Sequence, residues 1–196
     1  MANRRQYLAP EPGRGARGRF RGARCPRGTL WLSLFLVLSY LGPAWATPES
    51  QVKAAVVFNL AKFVDWPPEV FPSSTAPLLL GVPERDAMAE ALGTLDGKVV
   101  QGRRLTVKKT ERIEELKKCH MVFFSDSGVA GSILGNFRGL PILSITDNIT
   151  NFNRYEGVIN ITEEEGKIRL QVNLGAALRA NLKINSQLLK LAKVVG

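Results

Sequence analysis

Three short, continuous apolar segments constrain the fold of this chain more than any other feature. They run over residues 77–82 (PLLLGV), 120–124 (HMVFF) and 140–145 (LPILSI). A continuous apolar run of this length, unlike an alternating one, is typical of a strand that is covered on both faces. Segments with helical patterning separate the three runs. The sequence therefore predicts a mixed or parallel sheet with helices on both of its faces.

The rest of the chain after residue 46 fits the same plan. A first amphipathic helix is predicted from residue 48 to about 64, because Pro67 and Pro68 cannot continue it. Further helices are predicted over 85–92, 111–118 and 127–137, a strand over 104–109, a β-hairpin over 158–172, and two final helices over 174–182 and 186–195. We predict an α/β fold, a single-domain mixed sheet with helices on both faces, arranged as a three-layer sandwich.

The first 46 residues have the three zones of a secretion signal. A positively charged region comes first, an apolar stretch follows over residues 30–41, and small residues stand at Ala44 and Ala46. The apolar stretch is shorter than the roughly 20 residues that span a bilayer, so a permanent membrane helix is the weaker interpretation. We expect cleavage between Ala46 and Thr47, which leaves a domain over residues 47–196. A translation start downstream of Met1 remains open.

The net charge of +10 belongs mainly to this leader. Residues 1–46 hold eight arginines and one glutamate, which is a net charge of +7. The remaining 150 residues hold 19 basic and 16 acidic residues, a net charge of +3. Such a balance is ordinary for a globular domain and does not indicate a polyanionic partner. We therefore expect no nucleic-acid partner.

The sequence has none of the common catalytic patterns. His120 is the only histidine and begins a predicted buried strand, so neither a Ser-His-Asp triad nor a multi-histidine metal site can form in the usual way. Cys119 stands beside it, but neighbours on a strand point to opposite faces. Glycine-rich phosphate-binding motifs are missing as well. We expect no enzymatic activity, no cofactor and no metal, and we expect Cys119 to be buried.

Polar residues follow three of the predicted strands and could form a ligand crevice. They are Gly81 and Glu84 after the first apolar strand, Ser125, Asp126 and Ser127 after the third strand, and Thr146, Asp147 and Asn148 after the fourth. Ligands of open α/β sheets bind beyond the carboxyl ends of the strands, which makes Ser125, Asp126, Ser127 and Asp147 candidates. The same residue types cap helices and shape turns, and the sequence leaves both interpretations open.

The end of the first helix is the candidate partner-binding region. Trp66 would be either an exposed anchor for a partner or a lid over the core. Phe58 and Phe63 on the same helix are the other two candidates. Two glycosylation sequons, at residues 148–150 and 160–162, complete the set of motifs. The second falls in a predicted strand and the leader is bacterial in style, so neither is assigned a role.

Five segments, in the same order along the chain, resemble the YfiR family of periplasmic proteins. They are VKAAVVFNLAKFVDWP from Val52, LDGKVVQGRRLTVKK from Leu95, CHMVFFSDS from Cys119, GLPILSITD from Gly139, and IRLQVNLGAALRANLKINSQLLKLAKVV from Ile168. They cover nearly all of the domain after residue 46. The resemblance implies a small periplasmic α/β protein without enzymatic activity that binds the periplasmic sensor part of an inner-membrane diguanylate cyclase and restrains it.

The resemblance carries two further implications. Other relatives serve different membrane partners, sensor kinases among them, so the partner is an inner-membrane signalling protein of either kind. The family pattern often includes cysteines that form disulfides, whereas this sequence keeps only Cys119 in the mature part, and the core alone should stabilise it. A small-ligand-binding periplasmic protein is the alternative function, and the sequence leaves a homodimer open.

Overall fold

The computed structural model describes residues 48–196, so the predicted leader and its cleavage site at Ala46 and Thr47 lie outside the described residues. Within 48–196 the chain forms six α-helices, ten strands and three short 3-10 helices. The α-helices are α1 (Pro48–Leu60), α2 (Ala89–Gly93), α3 (Ile113–Leu116), α4 (Ser127–Ile133), α5 (Leu174–Arg179) and α6 (Ser186–Leu191). The 3-10 helices are Pro68–Val70, Leu134–Phe137 and Phe152–Tyr155.

Eight of the ten strands form one mixed sheet. The strands are β1 (Val64–Asp65), β2 (Leu78–Val82), β3 (Val99–Val100), β4 (Arg103–Lys109), β5 (Met121–Phe124), β6 (Leu143–Asp147), β7 (Ile159–Glu164), β8 (Lys167–Asn173), β9 (Lys183–Ile184) and β10 (Lys193–Val195). The order in the large sheet is β10-β8-β7-β6-β5-β2-β4-β3, and β1 pairs with β9 separately. Strands β4, β2, β5, β6 and β7 run parallel, while β7–β8 and β3–β4 are antiparallel pairs. This sheet confirms the predicted α/β fold class.

The alternation of side chains along each central strand produces two cores. In β5, Met121 and Phe123 belong to one cluster, which also contains buried residues of α1, α2, α5 and α6. Val122 and Phe124 belong to the other cluster, which contains buried residues of α3 and α4. Because both faces of β5 are buried, its sequence is continuously apolar. The helices therefore cover the sheet from both sides, as the apolar runs predict.

Several elements differ from the prediction, among them the unpredicted strand β9 after α5. Helix α1 ends at Leu60, and residues 64–65 form β1, which pairs with β9. The predicted last helix is wrong after Leu191, because Lys193–Val195 pairs with β8 as an edge strand of the large sheet. The short strand β3 was not predicted; it joins β4 through Gln101 and Gly102, which both have positive φ angles, of 51° and 75°.

The predicted β-hairpin is confirmed, with longer strands than expected. Strands β7 and β8 pair from Ile159↔Val172 to Glu164↔Lys167. The two turn residues, Glu165 and Gly166, have φ angles of 54° and 70°. Two consecutive positive φ angles give the turn the twist that a two-residue hairpin needs.

Candidate functional site

The predicted ligand crevice is bridged by hydrogen bonds within the protein. The chain enters the sheet at β2 and then adds β4 on one side and β5 on the other, so the crevice expected for this fold lies beyond β2 and β5. There, Asp86 accepts hydrogen bonds from the backbone N–H and the hydroxyl of Ser125, each at 2.8 Å. The Asp86 carboxylate therefore links the two strand ends at the position where a ligand would enter.

Asp126 and Ser127 lie at the start of α4. The Asp126 carboxylate accepts a hydrogen bond from the backbone N–H of Val129 at 2.9 Å and caps the helix. Ser127 is the first residue of the helix and is exposed. The capping interpretation of Asp126, which the sequence left open, therefore describes its contacts.

Asp147 at the end of β6 pairs with α1 instead of facing an open crevice. Lys53 of α1 contacts Asp147 at 2.9 Å and Glu49 at 2.8 Å. Burial opposes the charge on Lys53, but the hydrogen bonds that its ammonium group donates to Glu49 and Asp147 outweigh burial and raise the pKa of Lys53. The ion pair holds the N-terminal half of α1 against the C-terminal end of β6.

Trp66 is a lid over the core. Its side chain is 7% exposed, and its indole N–H donates a hydrogen bond to the backbone carbonyl of His120 at 3.0 Å. The His120 ring stacks on Phe71 with 4.5 Å between ring centroids. The Arg103 guanidinium lies over the Phe71 ring, 3.7 Å from its centroid. It also donates hydrogen bonds to the backbone carbonyls of Ser73 and Ala76. We call Trp66, Phe71, Arg103 and His120 the aromatic latch, since they hold residues 66–76 against the sheet.

The hydrogen bonds of the His120 imidazole determine which of its two nitrogens carries the proton in the neutral ring. Its Nδ1 accepts a hydrogen bond from the backbone N–H of Leu79 at 3.0 Å, so this nitrogen carries no proton. Burial lowers the pKa of His120, the backbone carbonyl of Val70 raises it, and the charge of Arg103 lowers it again. The net effect is a lowered pKa and a neutral ring. Sequence reasoning did not find this latch, since its four members come from three separate parts of the chain.

Cys119 is buried, as predicted, and is not poised as a nucleophile. Its side chain belongs to the second core, opposite the face on which His120 stacks, and burial raises the pKa of its thiol to about 11. Gly81 on β2 faces it: a Cβ added at Gly81 would lie 2.9 Å from the sulfur of Cys119. Gly81, a candidate for the crevice, therefore allows β2 to pack closely against Leu116 and Cys119. Among residues 48–196 no group of three His, Cys, Asp or Glu side chains could hold a metal ion.

Helix α1 has a second apolar face in addition to its buried one. Val52, Ala55, Val56 and Asn59 follow the spacing of one helix face, and we call them the α1 outer face. Val52 is 52% exposed, Ala55 and Asn59 are exposed, and Val56 is half-buried. An amphipathic surface helix carries charged and polar residues on its outer side, whereas Asn59 is the only polar residue of the α1 outer face; Val56 also packs against the first core. That pattern was readable in the sequence.

Two of the predicted partner-binding residues lie near the C-terminal end of α1, Phe58 within the helix and Phe63 just after it. Phe58 and Phe63 are half-buried against the core. The ammonium groups of Lys62 and Lys98 lie 4.9 and 5.6 Å from the centre of the Phe58 ring. The partly exposed Phe58 ring is therefore bordered by two positive charges. The role of Phe58 and Phe63 in partner binding stays a prediction.

The fold and these sites define a small α/β protein whose buried polar groups hold its own elements together. No described helix is long and apolar enough to cross a membrane. A family model described as YfiR/HmsC-like matches residues 50–193, and the chain belongs to this family. The resemblance predicted from the five sequence segments is thereby confirmed. The family is periplasmic and regulatory, which gives the chain a regulatory role in general. A comparison with curated proteins gives no match.

Proposed function

We propose that this protein is a non-enzymatic periplasmic regulator that binds the periplasmic sensor part of an inner-membrane signalling protein and restrains its output. The signalling protein would be a diguanylate cyclase, which makes cyclic di-GMP, or a sensor kinase. Family membership supports the regulatory role. The observation that carries the binding role is the α1 outer face, because an exposed apolar helix face is a recurrent feature of protein interaction sites.

The chemistry of this surface indicates what the partner offers. Val52 and Ala55 would pack against apolar side chains of the partner, and the partly exposed rings of Phe58 and Phe63, at and just after the C-terminal end of α1, would add apolar contacts. Lys62 and Lys98 form a positive border around Phe58. We therefore expect the partner surface to be apolar at its centre and acidic at the edge that faces these lysines.

A charge placed on the α1 outer face tests this proposal. Val52→Asp puts a carboxylate at a position that is 52% exposed, so the fold should tolerate it while an apolar interface should not. Val99→Asp is the matched control, since Val99 is 65% exposed and its neighbour Val100 is buried in the first core, so the Val99 side chain points to the sheet face opposite α1.

The measurement is co-purification of each variant with inner-membrane proteins, followed by identification of what is retained. We expect wild type and Val99→Asp to retain a membrane protein with a periplasmic sensor and a cyclase or kinase output, and Val52→Asp to lose it. Equal retention by all three would place the interface elsewhere, and retention of no such protein by wild type would refute the proposed partner.

A further inference from the structure

The second face of the sheet becomes polar from β6 onward, because Ser144 and Thr146 alternate there with Leu143 and Ile145 of the first core. Strands β5 and β6 are covered there by α3, α4 and the 3-10 segments, which contribute the second core. On β7, Ile159 and Ile161 turn toward the first core, and the alternating residues Asn160 and Thr162 turn to the second face. On β8, Gln171 is the direct partner of Asn160. The second face is therefore polar at β7 and β8, and we call Asn160, Thr162 and Gln171 the polar floor.

Asn160 makes this floor rigid. Its Oδ1 accepts hydrogen bonds from the hydroxyl of Thr146 at 2.7 Å and from the backbone N–H of Ile149 at 3.2 Å. Its Nδ2 donates to the carbonyl of Ile149 at 3.0 Å and to Oε1 of Gln171 at 3.2 Å. Both donors and both acceptor positions of the carboxamide are used, and Asn160 is 1% exposed. The loop after β6 is thereby fixed beside the floor.

A cleft of about 230 Å³ opens between this loop and the floor. We call it the amide cleft, and its lining residues are Asn148, Ile149, Thr150, Asn151, Asn160, Thr162 and Gln171. Six of the seven carry an amide or a hydroxyl group, and none is charged. A lining without charge disfavours a ligand that would bring an unpaired charge into the cleft.

Two groups in the amide cleft have hydrogen-bonding capacity to spare. The hydroxyl oxygen of Thr162 is buried and has no partner within residues 48–196. A buried polar atom without a partner is uncommon and costs free energy, which a ligand hydroxyl would recover once the Thr162 side chain turns its hydroxyl into the cleft. Gln171 has its Oε1 engaged by Asn160, so its amide N–H groups are left to donate to an acceptor.

The two sequons fall on this cleft. Residues 148–150 and 160–162 supply five of the seven lining positions. Asn160 is buried and fully hydrogen-bonded, so it is not accessible as a glycan acceptor in the folded protein. The residues that the two sequons contribute instead form most of the lining of the cleft.

We propose that the amide cleft binds a neutral saccharide unit. Each sugar hydroxyl both donates and accepts a hydrogen bond, which matches a lining of amides and hydroxyls. The cleft is smaller than the roughly 300 to 1,000 Å³ of sites for drug-sized ligands, which favours a single sugar unit over a nucleotide. Arg169 and Lys193, the strand neighbours of Thr162 and Gln171, stand at the rim and are both exposed. An acidic sugar held by this rim is the competing ligand.

Binding can be measured on the purified protein by saturation-transfer NMR and calorimetric titration with glucose, N-acetylglucosamine and glucuronate. Thr162→Val removes the buried hydroxyl and keeps the branched shape. Thr106→Val on β4 is the matched control, because Thr106 is also half-buried in the sheet but lies on the far side of β2. We expect a neutral sugar to bind wild type and Thr106→Val equally, and Thr162→Val to bind it about two- to tenfold more weakly, as for the loss of one hydrogen bond.

A second variant keeps the proposal testable if Thr162→Val affects the fold. Thr150 is exposed at the cleft, so Thr150→Trp should fill the opening without disturbing the core and abolish measurable binding. Three results would overturn the proposal: no neutral sugar binding to wild type at millimolar concentration, unchanged binding by both cleft variants, or binding of glucuronate alone. None of these results depends on whether the protein also binds a membrane partner.

Discussion

Acidification should release the aromatic latch through a single side chain. When His120 takes up a proton, its Nδ1 changes from acceptor to donor. The backbone N–H of Leu79, whose nitrogen lies 3.0 Å away, is also a donor, so two donors then face each other. The Phe71 ring stacked on the imidazole and the Arg103 guanidinium beyond it offer no negative charge to compensate. Protonation therefore breaks a buried hydrogen bond, and a buried donor left unpaired costs about 1 to 3 kcal/mol.

The sign of the pH dependence follows from the lowered pKa. Because the pKa of His120 lies below the ordinary value of 6.5 in the folded protein, the unfolded chain binds the proton more readily. The contribution of His120 to stability is present in full above pH 6.5. It is lost as the pH falls from 6.5 through the folded-state pKa, with a slope of at most about 1.4 kcal/mol per pH unit for one proton.

The assay is denaturant unfolding at closely spaced pH values between 5 and 8, compared with His120→Asn. The asparagine keeps an oxygen acceptor for the Leu79 N–H and does not titrate. The free energy of unfolding of His120→Asn should therefore depend less on pH in this range than that of wild type. Trp66 is the only tryptophan after residue 46, and its fluorescence reports the latch directly. We expect the stability of wild type to fall relative to His120→Asn below pH 6.5. Parallel curves for the two proteins, with unchanged Trp66 emission, would refute the reasoning.

Three further predictions concern the packing and capping of the fold. Gly81→Ala should destabilise the protein by about 1 to 3 kcal/mol in denaturant unfolding, because the added Cβ would lie 2.7 Å from Leu116. The control Gly135→Ala has open space at its Cβ and should lower the free energy of unfolding by less than half as much. Equal losses in the two variants would contradict this account of Gly81. Asp126→Ala should cost about 1 kcal/mol through loss of the α4 cap, and a change below 0.3 kcal/mol, roughly the error of the method, would mean that the cap does not contribute. Native Cys119 should resist alkylation at pH 8, where its thiol is protonated and buried, and should react in denaturant; rapid reaction of the native protein would show that the second core opens easily.

The sequence predicted the elements whose signal is local. The apolar runs around Leu80, Phe123 and Ile145 predicted the central strands because both faces of each are buried, which leaves no polar positions in the run. The hairpin was predicted because the turn at Gly166 is encoded by adjacent residues. The two cores on either side of β5 follow from the same alternation.

Elements that depend on distant partners were missed. Residues 193–195 continue a helical pattern, and only the free edge of β8 makes them a strand. The contacts of His120 with Leu79, Phe71 and Trp66 join segments up to 54 residues apart. The sequence predicted polar residues at the carboxyl ends of the central strands, but it could not show that the Asp86 carboxylate accepts hydrogen bonds from Ser125 there, and a ligand in this crevice stays a prediction.

The most direct test of the central claim is the signalling output of cells that produce each variant in place of the native protein. The level of cyclic di-GMP and the activity of sensor kinases would be measured in a deletion strain and in the strain complemented with wild type, Val52→Asp or Val99→Asp. A restraining regulator predicts that deletion raises one of these outputs, that wild type and Val99→Asp restore it, and that Val52→Asp does not. Unchanged cyclic di-GMP and kinase output after deletion would contradict the claim.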